Sequence, residues 1–438
     1  MHSYINSDIS IDKIANDLYL VSNPNTGALS ALSPSEMVIF FLFIYSNTPR
    51  EKIRSFLEQL GYSSNQVHDI INKFWRRLQK EGWLRSQIPQ NKTKFLRVAY
   101  FTITRNCNLA CSYCYQGLKD RINTDVTLDN VDIILKRVKE VNPNCKIIIT
   151  GGEPFIHKHV FNIIEQIQEM DLEFSILTNG TLIDQNVAKR LKQYSNLKNI
   201  QISIDGITEE TNSITRGKGS FEKIIRGIHN VINCQLPFTL APTIHEGNLH
   251  EIYGLVYFAI SNGGFISPNN LRIFPHNSDC QLELSNMSLY NIIKDVEKRV
   301  IKDFGIEMIK KYKSMLVSKE DQDSISNRSK FICGMAHSLV NINYNGDVYP
   351  CHLLSIDTFK LGNVLYESFE TIFQRVDRLG IRVPSFKIPK CSKCPFVATC
   401  GGGCRAAAYF TYGSVSREDS LCDIIYKIQM DSVKTGYL

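Results

Sequence analysis

The spacing of apolar residues divides this chain before any single residue is considered. Residues 1–88 read as a small mixed unit. Asp17–Ser22 and Leu29–Leu32 flank Asn23–Gly27 (NPNTG), a turn composition that predicts a hairpin. Ser33-Pro34-Ser35-Glu36 then combines a capping box with proline at the first helical position, ahead of the apolar stretch MVIFFLFIY. A second amphipathic helix is expected over Arg50–Leu60, stopped by Gly61. A third runs over Ser64–Gly82, with Val67, Ile70, Ile71, Phe74, Trp75 and Leu78 on one face. The polar stretch Arg85–Lys94 reads as a linker.

From Phe95 the pattern changes. Short β-branched runs at Leu96–Thr104, Lys146–Thr150, Glu173–Thr178, Asn199–Ile204, Phe238–Ile244 and Asn270–Pro275 alternate with helical periods at Thr127–Val141, Lys158–Glu169, Asp184–Tyr194, Ser220–Asn233, Leu249–Asn262 and Ser285–Asp303. Six βα units in series predict an α/β fold, a parallel sheet covered by helices. Right-handed crossovers would curl it into a partial (β/α)6, TIM-like barrel over residues 95–305, with functional residues just after the strand C-termini. Residues 306–438 form a third segment, rich in Cys and Gly, in which Asn345-Gly346-Asp347 between ININY and VYP signals a hairpin.

Composition excludes more than it suggests. With 43% hydrophobic and 21% charged residues in 438, the balance is that of a globular protein. The N-terminal MHSYINSDISIDKIANDLYL has no basic region leading into an apolar stretch. The longest apolar run, Met37–Tyr45, falls far short of a membrane span. A cytoplasmic protein with no membrane partner is expected. A net charge of +7 is ordinary for this length and names no partner.

The 13 cysteines change the picture. In a reducing compartment, clustered cysteines point to metal binding or redox chemistry. Cys145, Cys234 and Cys280 stand alone, and burial as small hydrophobes is the default for them. The other ten fall in patterned spacings. Cys107-x3-Cys111-x2-Cys114 follows the first predicted strand. Three thiolates with no fourth nearby suit a cubane iron–sulfur cluster with one iron left open, whereas a closed zinc site wants four ligands.

This spacing, with Tyr113 just before the last cysteine, resembles the signature of radical S-adenosylmethionine (SAM) enzymes. The resemblance implies a 4Fe–4S cluster whose open iron is chelated by SAM. It also implies reductive cleavage of SAM to a 5′-deoxyadenosyl radical that abstracts a substrate hydrogen. Further stretches stand in order on the same rim. Gly151-Gly152-Glu153-Pro154 matches the family's GGE motif, its glycines allowing close backbone approach and its carboxylate suited to the SAM ammonium. Thr178-Asn179-Gly180 ends the third strand. Ser203 and Asp205 would meet the ribose hydroxyls, and Arg216 the SAM carboxylate. Taken singly, GGEP is also an ordinary strand-to-helix turn and Arg216 a solvated arginine.

The C-terminal cysteines resemble the SPASM extension of radical SAM enzymes, which holds two auxiliary 4Fe–4S clusters. Together with the first, that makes three. The family's arrangement implies Cys391, Cys394, Cys400 and Cys422 for the outer cluster and Cys333, Cys351 and Cys404 for the inner one. Some relatives supply a further cysteine just before the first of the seven. Here the preceding NRSKFI has none, which leaves an open iron, a non-cysteine ligand or a distant one such as Cys280. A zinc ribbon is the other reading, because C-x2-C is shared with zinc sites.

Residues 1–88 resemble the RiPP recognition element, a winged-helix-like module that binds the leader of a ribosomally made precursor peptide by adding it as a strand. Arg76, Arg77 and Lys80 on the third helix would serve an acidic leader or DNA phosphate equally well.

The expected function is therefore hydrogen abstraction from a residue of a precursor peptide. A C–C, ether or thioether cross-link or another oxidation would follow. The expected partners are the leader and an external one-electron reductant of the flavodoxin or ferredoxin type, with nucleic acid disfavoured. A sulfatase-maturing oxidase that forms formylglycine is one alternative, and a zinc-ribbon DNA-binding regulator the other. Thr243, His245 and His276 are candidates to face the cavity, with structural roles the first expectation for each.

Overall fold

A computed structural model describes residues 9–15, 17–23, 28–45, 48–83, 96–117, 124–270, 280–309 and 333–434. The expected turn at 24–27, the linker, His276 and positions 271–275 of the sixth predicted strand lie outside them. Contacts divide the chain into two compact units, one of Met1–Lys92, Ser314–Cys333 and Val383–Leu438, the other of Thr93–Lys313 and Gly334–Arg382.

The first unit begins with three antiparallel strands in the order β1-β2-β3, namely Ser10–Ala15, Leu18–Asn23 and Ala28–Leu32. The sequence reading had only the second and third. Its β1, SIDKIA, alternates half-buried and exposed positions, the period of a strand. Helix α1 (Pro34–Phe40) opens on the expected capping box, with Ser33 and Glu36 each bonding the other's backbone N–H. A wider π-helical turn, Phe41–Tyr45, follows it. Helices α2 (Arg50–Gln59) and α3 (Ser64–Lys80) bury Ile53, Leu57, Val67, Ile71, Phe74 and Leu78. These join Val21, Leu32, Phe40 and Trp83 in one core. Arg77 ties α3 to its neighbours, with Nη1 2.7 Å from Glu36, Nε 2.9 Å from Glu81 and Nη2 2.7 Å from the Ala31 carbonyl.

The second unit is built on a nine-stranded sheet. Strands β4 (Val98–Thr104), β5 (Lys146–Gly151), β6 (Phe174–Thr178), β7 (Leu197–Ile202) and β8 (Phe238–Leu240) lie side by side and parallel in chain order. Pro242 has no N–H to offer a ladder, and the predicted fifth strand stops at Leu240 and resumes as β9 (Thr243–Ile244). The sixth position is taken by β10 (Phe265–Ile266), which pairs with β8 earlier in the chain than expected, while β11 (Asn269–Asn270) pairs with β9. Helices α4 (Leu128–Val141), α5 (Val160–Glu169), α6 (Gln185–Leu191), α7 (Glu209–Arg216), α8 (Ser220–Asn233), α9 (Leu249–Ser261) and α10 (Asn286–Phe304) fill the crossovers and follow the strands. Ile163, Ile164 and Ile167 of α5 are fully buried, each contributing about 1.5–3 kcal/mol of transfer free energy.

Beyond β4 the sheet continues. β12 (Leu339–Asn343) pairs with it in parallel, Leu339 opposite Val98, and turns back through Asn345-Gly346 into β13 (Asp347–Tyr349) and β14 (Gly362–Asn363). Gly346 has φ +82°, and an added Cβ would meet the Leu365 side chain at 2.5 Å, so glycine is required in this turn. Helix α11 (Phe369–Leu379) follows. The chain then re-enters the first unit, where α12 (Arg405–Tyr412) and α13 (Cys422–Lys434) are the longest elements. Among the described residues no helix is long and apolar enough to cross a membrane.

Candidate active site

The loop after β4 carries Cys107, Cys111 and Cys114, all half-buried and free of disulfides. Its entry is held by backbone. The Gly152 N–H donates to the Thr104 carbonyl and the Glu153 N–H to that of Asn106, both at 2.8 Å. A Cβ on Gly151 would lie 2.1 Å from the Thr104 oxygen, and one on Gly152 2.2 Å from that of Asn106. The two glycines therefore let the end of β5 press against the cysteine loop itself. The loop's exit is held by the Ser112 N–H on the Thr215 carbonyl, 3.0 Å.

Glu153 is fully buried and its carboxylate is used by the rim. It accepts the Thr178 hydroxyl at 2.8 Å, the Asn179 N–H at 2.7 Å and the Phe155 N–H at 3.1 Å. Burial pushes its carboxyl up to about 7, against the pull of those three donors. Through Glu153 the ends of β5 and β6 are locked together. Pro154, also buried, opens the short turn that follows. Asn179 in turn sets its Nδ2 2.8 Å from Asn108 Oδ1 and 3.9 Å from Cys107 Sγ.

Asp205, after β7, organises the opposite side. Its carboxylate accepts Tyr113 Oη and Thr215 Oγ1, both at 2.6 Å, and the Thr243 N–H at 2.8 Å. Arg216 Nε lies 2.8 Å from it, with side chains 6% and 0% exposed. Arg216 is the last residue of α7, not a loop residue, and Gly217 with φ +85° ends the helix behind it. Its Nη2 also reaches the Tyr113 hydroxyl, and its Nη1 lies 4.0 Å from Cys111 Sγ. Burial pushes the Cys111 thiol up to about 11, and the Arg216 charge is the largest effect pulling it back. Burial is the largest single effect on Arg216 and works against its charge, but Asp205, Tyr113 and Cys111 together outweigh it and the guanidinium is held firmly protonated. Ser203 sits half-buried at the same rim, its N–H on the Thr178 carbonyl at 3.0 Å.

Thr243 and His245 belong to this scaffold too. His245 is buried, its Nδ1 accepting the Gly247 N–H at 3.2 Å, and burial keeps the ring below its ordinary value. Sequence reasoning missed a third group. Tyr100 of β4, Tyr115 beside Cys114 and His352 beside Cys351 gather their rings, His352 stacked on Tyr100 at 4.3 Å and edge-on to Tyr115 at 5.8 Å. Burial lowers His352 to about 4, so this imidazole is neutral at physiological pH. Adjacency of an aromatic or histidine to each cysteine was the available signal.

In the first unit Cys391, Cys394, Cys400 and Cys422 line one cavity of about 340 Å³. Burial pushes Cys391 up to about 12 and Cys400 up to about 11, with neighbouring thiols adding to both. Among the described residues no three His, Cys, Asp or Glu side chains converge on a point suited to a single ion. Four thiols around a space of this size fit a cluster of several irons better than one zinc. The barrel loop also fits, since the N–H of Leu109 and Nδ2 of Asn179 approach Cys107 sulfur and a guanidinium approaches Cys111, all favouring thiolate. Cys333 and Cys404 belong to the first unit and Cys351 to the second, each half-buried. Cys280 is half-buried and Cys145 buried.

Residues 101–258 match the model of the Radical SAM superfamily, and residues 333–395 match SPASM, an iron–sulfur cluster-binding domain. The chain is 26% identical over 378 residues to the Fe-coproporphyrin III synthase of Methanosarcina barkeri, covering 77% of this chain and 91% of that one. It is 27% identical to the antilisterial bacteriocin subtilosin biosynthesis protein AlbA of Bacillus subtilis, covering 82% and 77%. Among solved structures, Streptococcus suis SuiB bound to precursor peptide SuiA superimposes with a TM-score of 0.61 at 17% identity, over 96% of this chain and all of that one. At that identity the likeness concerns the fold.

Proposed function

We propose that this chain, a radical SAM enzyme with a SPASM iron–sulfur region, modifies a ribosomally made precursor peptide by abstracting hydrogen from one of its residues. A cross-link (C–C, ether or thioether) or another oxidation would then be installed. The observation that carries this reading is the buried rim at the strand ends, where Glu153–Asn179 and Asp205–Arg216–Tyr113 hold the three-cysteine loop from two sides. Relatives named for bacteriocin biosynthesis and for mycofactocin maturation support a peptide substrate.

In this reading Cys107, Cys111 and Cys114 hold a 4Fe–4S cluster, which when bound supplies the electron that cleaves SAM. The chain's own residues bind and orient. Tyr113, Gly151, Gly152, Glu153, Pro154, Asn179, Ser203, Asp205 and Arg216 border the SAM site. Arg216 Nη1, beside Cys111, is the arm of the fork available for the SAM carboxylate. Glu153 serves by fixing Asn179. Water is kept out by the buried strand ends, and the target C–H bond is positioned against them. Two further clusters, with Cys391, Cys394, Cys400 and Cys422 and with Cys333, Cys351 and Cys404, offer a route for the second electron of an oxidation. An external flavodoxin- or ferredoxin-type reductant supplies the first, in the cytoplasm. The N-terminal module, read as a recognition element, takes the leader on the sheet edge beside α3.

The test is anaerobic reconstitution followed by counts of iron, sulfide and zinc. About twelve irons per chain and formation of 5′-deoxyadenosine, increased by a leader-bearing precursor peptide, are expected. Zinc without iron would overturn the reading in favour of a zinc-ribbon protein. Turnover of a sulfatase-type peptide lacking a leader, unaffected by deleting residues 1–88, would favour the formylglycine-forming alternative.

A further inference from the structure

The two faces of the N-terminal sheet are engaged differently. One closes over the helices through Val21, Ala28 and Leu32. The other sets Leu20, with Ile14 and Leu18, against Phe396, Val433 and Met430, and Cys394 belongs to the same apolar contact. The edge strand β1 also reaches the four-cysteine cavity, where Asp12 is a lining residue together with Lys390, Lys393 and Tyr426.

Asp12 is half-buried, and its carboxylate accepts the Ser10 hydroxyl at 3.1 Å. Three of the other charges around the cavity, Lys390, Asp419 and Asp423, have close partners. Lys390 lies 2.7 Å from Asp423, and Asp419 accepts the N–H of Cys404 at 2.6 Å and of Leu421 at 2.9 Å.

We infer that the N-terminal sheet is a wall of the outer auxiliary site, and that Asp12 is a tuning residue holding down the reduction potential of the cluster bound there. The inference rests on the reading that these four cysteines hold a 4Fe–4S cluster. Reduction adds one electron to the cluster, and a fixed anion a short distance away through partly desolvated protein disfavours the added charge. The same β1 that flanks a peptide-binding sheet thus sets an electronic property of a site otherwise built from residues 390–429.

The test uses the full chain with Cys107, Cys111 and Cys114 replaced by alanine, which removes the barrel cluster. It is reconstituted anaerobically and titrated with redox mediators under EPR. The outer signal is the one lost in Cys394→Ala. Asp12→Asn keeps the shape and removes the charge. It is expected to raise the reduced-to-oxidised ratio at fixed potential about tenfold, or about 59 mV for one electron, while Asp12→Glu stays at the wild-type midpoint. An Asp12→Asn midpoint equal to wild type overturns the inference. Should Asp12→Asn hold less iron than wild type, Lys393→Gln decides. Loss of that cation from the same cavity must move the midpoint down, and an unmoved midpoint overturns the inference equally. Zinc in place of iron in the parent protein, or no signal dependent on Cys394, overturns the cluster reading instead.

Discussion

Arg216 and Asp205 form a buried ion pair, Nε to Oδ2 at 2.8 Å, eleven residues apart across α7 and the strand end before it. Both were expected to face SAM, and they face each other first. Removing the cation alone strands a carboxylate that is 0% exposed. Arg216→Ala is therefore expected to destabilise the iron-free protein by about 3–5 kcal/mol. Arg216→Lys keeps the charge but loses the fork and should fall between. Urea unfolding of both variants measures this. An Arg216→Ala midpoint equal to wild type would show that the pair contributes nothing.

Glu153 gives the barrel a pH dependence of definite sign. Its carboxyl is raised from 4.5 to about 7 by burial. The folded state then binds this proton more tightly than the unfolded one. The resulting stability is fully present below pH 4.5 and is lost as pH rises through 7. A shift of this size corresponds to about 3 kcal/mol. Glu153→Gln should be less stable at low pH but flatter between pH 5 and 8, and unfolding curves at those two values read the slope directly.

Gly152 faces backbone, not solvent. Its added Cβ would meet three backbone atoms of Arg105 and Asn106 within 2.6 Å, none of which can swing aside. If Cys107, Cys111 and Cys114 hold a 4Fe–4S cluster as proposed, Gly152→Ala is expected to displace the Cys107 loop and lose about four irons, one cubane, with the rest of the iron content unchanged. Iron per chain, compared with Cys107→Ala, decides it. Full iron content would mean that the loop tolerates the shift.

Trp83 donates its indole N–H to the Ser30 hydroxyl at 2.7 Å, with Ser30 2% exposed. Ser30→Ala leaves that donor buried without its acceptor, at a cost of about 1–3 kcal/mol. Both tryptophans of the chain, Trp75 and Trp83, lie in the N-terminal module. Tryptophan fluorescence during unfolding therefore reports this module alone. A shift confined to that probe, with circular dichroism of the rest unmoved, is the expected result.

Local chemistry was legible in the sequence because it is written at short range. The capping box of α1, the helix starts at Thr127, Asp184 and Ser285, and the order of strands and cysteine loops all depend on residues a few positions apart. Cysteine spacing of three and two residues carries its meaning in the covalent chain. Less was readable where the pattern was short or interrupted. Strand β1 has only three apolar positions in six, and β10 is two residues long.

What folding alone decided are partnerships between distant residues. Whether the Glu153 carboxylate points at a ligand or at Thr178 and Asn179 depends on how two neighbouring strands end. That His352 stacks on Tyr100 depends on β12 extending the barrel sheet past β4, across more than two hundred residues. That Asp12 lines a cavity of cysteines near residue 400 depends on the packing of Leu20 against Phe396 and Val433. Sequence spacing fixes which groups are available. Burial and close approach fix which of them meet, because an ion pair or ring stack gains its energy only when three-dimensional packing removes water from both partners at once.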